Sequence, residues 1–227
     1  AKKFKVVKIK LAVDPLENEN YNFLQKYDYL DASILSYLFD LTSEDFLRAC
    51  RRGHRCDIKK LLADKNFKVF YIDAANPLYD IHEEYRALHR KCSGRVTRAK
   101  ESFDLQFAKL KQGRAVLFGL KYKEQSVCFN YFEFINDKAI YASGADDPDF
   151  SKLPLYHAPI FSAMEYLKKQ GVRYVDTGQP SSPSAQFDYY LDKKQANIAL
   201  FKRGFCGKFM PYYRGVKYFS QSAFRQD

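Results

Sequence analysis

Tryptophan is missing from this chain of 227 residues and methionine occurs only twice, so an aromatic interior has to come from eighteen tyrosines and twenty phenylalanines. No apolar run approaches the ~20 residues that a membrane-crossing helix needs. No signal peptide is visible either. With 29% of residues charged, the composition argues against a membrane-resident protein. Repeats and low-complexity tracts are absent, which removes solenoids and disordered arrays. A CxxC pair is absent as well. The five cysteines, Cys50, Cys56, Cys92, Cys128 and Cys206, are odd in number and far apart, as reduced thiols of a cytoplasmic protein are. The i, i+4 pair Cys50 and His54 and the i, i+3 pair His89 and Cys92 each lack the second half of a zinc site, so no metal is expected.

What is abundant is positive charge. The formal net charge of +11 attracts polyanions such as nucleotide diphosphates, coenzyme A, transfer RNA or an anionic membrane surface. The lysines are spread along the chain, so a solvated surface accounts for much of the excess. The length permits one large domain or two small ones. One is expected over 35–227, with 1–34 as an N-terminal strand and loop, either an addition to that domain or the remnant of a missing lobe.

Alternation of Val7, Ile9, Leu11 and Val13 predicts a half-buried strand within Phe4 to Val13, and Ile34 to Phe39 predicts a second. Thr42 followed by Asp45 has the spacing of a capping box, so a helix should start there with Phe46, Leu47 and Cys50 inward and Arg48, Arg51, Arg52, Arg55, Lys59 and Lys60 outward. That basic face is either a phosphate-binding surface or an ordinary solvated one. A strand over Asn66 to Ile72 follows. Asp80, with Glu83 three positions on, should cap a helix that turns Ile81, Leu88 and Cys92 inward, and a second helix should bury Phe103, Phe107 and Leu110 before Gly113. Ala115 to Leu120, continuously apolar, reads as a central strand, joined to Val127 to Ile135 and Lys138 to Gly144 in an antiparallel meander. A helix from Pro159 to Gly171, a strand over Val172 to Val175, a mobile loop over Gln179 to Asp188 and a hairpin of Phe209 to Tyr213 with Val216 to Phe219 complete the expectation.

The stretch Asn197 to Gly207, NIALFKRGFCG, sets two cations inside an apolar run. As a helix from Asn197 to Arg203 it places Ile198, Phe201 and Phe205 on one face with Lys202 beside them. Lys202 is then either a cation at the border of the core, suited to developing negative charge, or a helix-ending lysine that favours the dipole and snorkels to water.

FKRGF, with YVDTG some twenty residues before it and KFMPYYRG after it, is similar to the C-terminal part of the FemAB-like branch of the GNAT-fold acyltransferases, the peptidoglycan aminoacyltransferase type. YLFDLTSEDFLRACRRGHRCDIKKL resembles that branch's strand leading into an arginine-rich helix. The resemblance spans roughly residues 35 to 220. It implies an α+β GNAT-like fold, the acyl-CoA N-acyltransferase fold, with a mostly antiparallel central sheet flanked by helices. It also implies that Lys202 and the backbone carbonyl of Phe201 act in catalysis, and that the basic helix, here with Arg52 and Arg55, contributes to the acceptor side. In acetyltransferases of this fold a glycine-rich turn offers N–H groups to the pyrophosphate of coenzyme A. FSKLPLYHAPI stands there instead, with no glycine and two prolines.

Acyl transfer to an amine needs a donor pocket, a group that stabilises the oxyanion and a path for the amine proton. Lys202 suits the second. Asp176, at the carboxyl end of a strand, could take the proton or orient the amine, or could merely cap the turn at Gly178. Arg203, Tyr141, Ser143 and His157 are substrate-side candidates, although His157 could equally be a satisfied surface histidine. The resulting expectation is a cytoplasmic bacterial N-acyltransferase that adds an acyl or aminoacyl group to an amine of a cell-wall or surface-glycan precursor. No cofactor is certain, and the donor would be acyl-CoA or aminoacyl-tRNA. Its partners would be an anionic nucleotide- or lipid-linked sugar, with transfer RNA and contact with a membrane surface as further candidates. Two alternatives stand beside it: a non-catalytic GNAT-like module that holds RNA or an acidic glycan on its basic face, and an acetyltransferase with acyl-CoA in a non-standard site.

Overall fold

Alternating polar and apolar residues near the N-terminus form strand β1, Lys8–Ala12, and the apolar run ILSYLFD forms β3, Ile34–Asp40, after the two-residue β2, Leu30–Asp31. The computed structural model describes residues 5–17, 19–180 and 191–226. The chain divides into two compact units. A central unit takes Phe39–Val175 and Gly204–Cys206; a terminal unit takes Ala1–Leu38, Asp176–Arg203 and Gly207–Asp227.

The central unit is built on β4 (Phe67–Ile72), β5 (Ala115–Tyr122), β6 (Gln125–Ile135) and β7 (Lys138–Asp146), adjacent in that order and antiparallel throughout. Lys123 and Glu124 both adopt positive φ in the β5–β6 turn, the geometry that matches strand twist in a two-residue hairpin. Helices α3 (Tyr79–Ser93) and α4 (Lys100–Lys111) cover one sheet face, where Tyr85, Leu88, Phe103, Phe107 and Leu110 meet Leu117, Phe129 and Tyr131. Helix α5 (His157–Lys169) packs on β5, with the Tyr166 ring against Phe118. Cover on both faces explains why β5 is apolar at every position from Ala115 to Leu120. Each large side chain removed from water there contributes about 2 kcal/mol.

Three expectations for this unit change. Asp45, not Thr42, is the helix N-cap: its carboxylate accepts from Arg48 N at 2.9 Å, while the Thr42 hydroxyl donates to Asp40. The basic helix is also interrupted. Helix α1 covers only Phe46–Ala49, Cys50 is extended, and α2 restarts at Arg52–Ala63. In α3, Leu78 precedes the first turn and Asp80 lies inside it, so the buried stripe is His82, Tyr85 and Leu88, and Cys92 is exposed.

In the terminal unit β1 pairs with β10 (Arg214–Tyr218), which pairs with β2. Asn22 ties this sheet together, its Nδ2 donating to Asp31, Ser33 and the Arg214 carbonyl. Strands β8 (Tyr174–Pro180), β3 and β9 (Gly207–Tyr212) are neighbours in that order. The expected C-terminal hairpin is therefore absent: β9 and β10, separated by Tyr213 alone, join different sheets. Helix α6, Lys193–Lys202, starts earlier than the apolar run suggests, because Asp192 and Gln195 form a reciprocal capping box. Helix α7 covers Gln221–Gln226. Phe4 and, from Ser181 on, the loop expected over Gln179 to Asp188 lie outside the described residues.

Candidate active site

Lys202 ends α6 in the terminal unit and is 91% buried, its ammonium donating to the Thr177 carbonyl of β8 at 2.6 Å. The helix shape explains the burial. Ala199 and Lys202, three positions apart, form its inward face, whereas Ile198 and Phe201 are half-buried and Leu200 is exposed. The expected order is thus reversed: the lysine takes the core position and the apolar side chains flank it. Burial pushes the Lys202 pKa down to about 8, against which the charge of Asp176 acts. At neutral pH the ammonium is the major form, held in a place that solvates it poorly.

Asp176 is buried on β8. The Ser36 hydroxyl of β3 donates to its Oδ1 at 3.0 Å, and Gly178 N donates to the same oxygen at 2.9 Å. The turn-capping role foreseen for Asp176 is real, with Gly178 at a φ of +62° where a side chain would be strained. Burial raises the Asp176 pKa, opposed by those two hydrogen bonds and by the Lys202 charge. An acid raised and a base lowered, each by its own burial, are a pairing found at proton-transfer sites. Tyr212 of β9 lies near enough to feel the Asp176 charge.

Two further buried atoms here have no partner among the described residues: the Thr177 hydroxyl and the Arg203 Nε. Buried polar atoms without partners are rare in native proteins and characteristic of ligand sites. Phe201 is half-buried, and its carbonyl accepts the N–H of Arg203, which caps α6. Lys202, Phe201, Asp176 and Arg203 thus belong to one unit. Ser36 and Thr177 join them without having been singled out in the sequence. Ser36 carried a signal, a small polar residue inside the apolar run ILSYLF.

The other candidates belong to the central unit. His157 begins α5, with Nδ1 3.1 Å from the Pro154 carbonyl, Nε2 3.6 Å from Asp57 and its ring 4.5 Å from that of His54. Burial lowers its pKa, opposed by the Pro154 carbonyl and by Asp57. It is buried, not a surface histidine. Arg55 donates to the carbonyls of Arg48 and Cys50, closing the end of α1, and Arg52 is exposed at the start of α2. Tyr141 and Ser143 were expected along one sheet edge. A bulge at Ala142, where Tyr131 faces Ser143 but Phe132 faces Tyr141, sends them to opposite faces. Tyr141 stacks on Phe132 and donates to Asn130, while Ser143 faces Tyr85.

Helix α5 follows the segment where a coenzyme A cradle would lie. Of its first N–H groups, that of His157 already bonds to Pro154 and that of Ile160 to Tyr156, and Pro159 has none. This terminus has little to offer a pyrophosphate. Among the described residues no group of three or more His, Cys, Asp or Glu is placed to hold a metal ion, and no helix is long and apolar enough to cross a membrane.

These features define a mixed α+β fold of the GNAT type. FemX superposes with a TM-score of 0.66 at 14% identity, over 100% of this chain and 75% of FemX. L-PGS from Bacillus licheniformis gives 0.62 at 13% identity, over 91% of this chain and 68% of its own. A tandem GNAT protein from the clavulanic acid biosynthesis pathway gives 0.51 at 14% identity, over 96% and 66%. No protein-family model and no curated protein matches the sequence. The likeness to FemX and L-PGS agrees with the FemAB-like resemblance carried by FKRGF and YVDTG. At such identities it speaks of architecture, and activity has to be argued from the site.

Proposed function

We propose that this chain is an acyltransferase of the FemAB-like kind, which adds an acyl or aminoacyl group to an amine of a cell-wall or surface-glycan precursor. The observation that carries this reading is the buried Lys202 ammonium, fixed on the Thr177 carbonyl beside Asp176. In acyl transfer the carbonyl oxygen becomes anionic as the amine attacks. A desolvated cation at a fixed place stabilises that charge without reorganising. Asp176, its pKa raised by burial, suits acceptance or relay of the amine proton. The few available N–H groups at the start of α5 favour aminoacyl-tRNA, or another donor without a standard coenzyme A grip, over acyl-CoA bound in the usual mode.

The test is a donor panel, aminoacyl-tRNA and acyl-CoA, with amine acceptors from cell-wall precursors, comparing the natural chain with Lys202→Met. Removing an oxyanion donor costs roughly 3 kcal/mol of barrier, about a hundredfold in rate. Turnover unchanged in a folded Lys202→Met variant would remove Lys202 from the chemistry.

A further inference from the structure

Beside helix α5 the sheet ends in its edge strand β4, and there Tyr71 stays 47% exposed while Phe118, its cross-strand partner in β5, is 3% exposed. Being partners on one sheet face, the two rings stack, with centroids 5.2 Å apart and planes at 25°. Tyr166 of α5 leans on both, at 5.2 Å from Tyr71 and 5.8 Å from Phe118, and its hydroxyl is anchored on Asp73 at 3.0 Å. These rings wall a groove of about 450 Å³ between β4 and α5, a volume usual for small-molecule sites.

The rim of the groove is polar. Ser162, Glu165, Lys169 and Gln170 come from one side of α5 and its C-cap, spaced as residues of one helix face are. Among the described residues no side-chain hydrogen bond or ion pair engages any of the four. Glu165 and Lys169, one turn apart, do not even pair with each other. The aromatic wall is thus held in place while the polar rim is unused.

The lining narrows the occupant. An exposed ring offers its electron-rich face to C–H groups. The rim supplies a hydroxyl, a carboxylate, an ammonium and an amide, so donors and acceptors alternate and the two charges cancel. A phosphate would meet Glu165, and an organic cation would meet Lys169. A wholly apolar ligand would take four polar groups out of water without replacing their hydrogen bonds. A pyranose ring meets every demand, with C–H groups on its face and hydroxyls around its edge that both donate and accept.

We propose that the groove between β4 and α5 binds a neutral pyranose sugar, stacked on Tyr71 and hydrogen-bonded by Glu165, Lys169 and Gln170. The site lies wholly in the central unit, and it does not rest on the acyltransferase reading, which is built on Lys202 of the terminal unit.

Cellobiose, whose equatorial hydroxyls leave the ring faces to C–H groups, is the probe, titrated into the full chain with adenosine and choline as the competing chemistries. It should bind saturably with a Kd of about 1–10 mM, adenosine and choline more weakly. Saturation-transfer NMR should be strongest at the axial protons of one ring face. Tyr71→Ala should weaken cellobiose about tenfold or more, and Tyr71→Phe should leave it unchanged because the ring does the stacking. Glu165→Ala should weaken it about threefold; alanine suits this exposed helix position, so the variant serves even if Tyr71→Ala folds poorly. No saturable response to cellobiose, transfer spread evenly over its protons, tighter binding of adenosine or choline, or either folded alanine variant binding as the natural chain does overturns the site.

Discussion

The Ser36 hydroxyl donates to Asp176 Oδ1 at 3.0 Å across 140 positions of sequence, joining β3 to β8 at a buried carboxyl. Removing it by Ser36→Ala withdraws one of the interactions that favour the charged carboxylate, so the Asp176 pKa rises further. The folded state should lose about 1 kcal/mol. If the ionised carboxylate takes the amine proton, the acid limb of kcat/KM moves to higher pH. A carbon-detected NMR titration of Asp176 follows the pKa directly, and an unmoved titration would show that Ser36 does not tune this group.

Lys202 is stored at a cost that should be measurable. Its folded pKa of about 8 lies below the ordinary 10.5, so the unfolded chain holds the proton more firmly. The penalty is full below pH 8 and disappears as pH rises from 8 to 10.5, amounting to about 3 kcal/mol at neutral pH. Lys202→Met should therefore be more stable than the natural chain at pH 7, by up to that amount, and equal to it near pH 10.5. Urea unfolding at the two pH values tests this, and a variant less stable at pH 7 would contradict it.

His82 works in the opposite pH range. Burial among Tyr85, Phe103 and Phe107 lowers its pKa to about 4, and neither ring nitrogen has a partner among the described residues. The stability of the neutral form is intact above pH 6.5 and is lost as pH falls towards 4, by up to about 3 kcal/mol. His82→Phe should unfold at a higher temperature than the natural chain at pH 4.5, with a smaller difference at pH 7. Parallel losses in both proteins would assign the acid lability to other groups.

Gly204 lies against the His54 ring, which packs edge-on to Phe205 at 4.8 Å and to His157 at 4.5 Å. A methyl group at Gly204 would overlap the imidazole itself. Gly204→Ala should cost roughly 1–3 kcal/mol, and combining it with His54→Ala should recover part of the loss. Thermal unfolding of the single and double variants measures the coupling, and strict additivity would show that the two do not press on each other.

The meander and the helices α4 and α5 were legible in the sequence because one period dominated each: unbroken apolar residues in β5, and Phe103, Phe107 and Leu110 at helical spacing in α4. Boundaries set by single hydrogen bonds were not. The Asp192–Gln195 box sits in a polar stretch before the apolar run, and Asp45 displaced Thr42 because the latter's hydroxyl was taken by Asp40. The bulge at Ala142 leaves no mark in an alternating segment, so the separation of Tyr141 from Ser143 could not be read. The separation of β9 from β10 was hidden for another reason: two strands around an Arg-Gly pair look like a hairpin whichever sheet each one joins. At the site, YVDTG and FKRGF pointed to Asp176 and Lys202, but the inward turn of the lysine follows from where α6 starts, and Ser36 is 140 positions from its partner.

The pairing of Lys8 with Tyr218 joins residues far apart in sequence, whereas the central unit is almost continuous. Loop closure over such a span is slow. The meander of the central unit needs no such closure, because β5, β6 and β7 follow one another in sequence. A chain cut before β10 would leave β1 and β2 without the strand that lies between them.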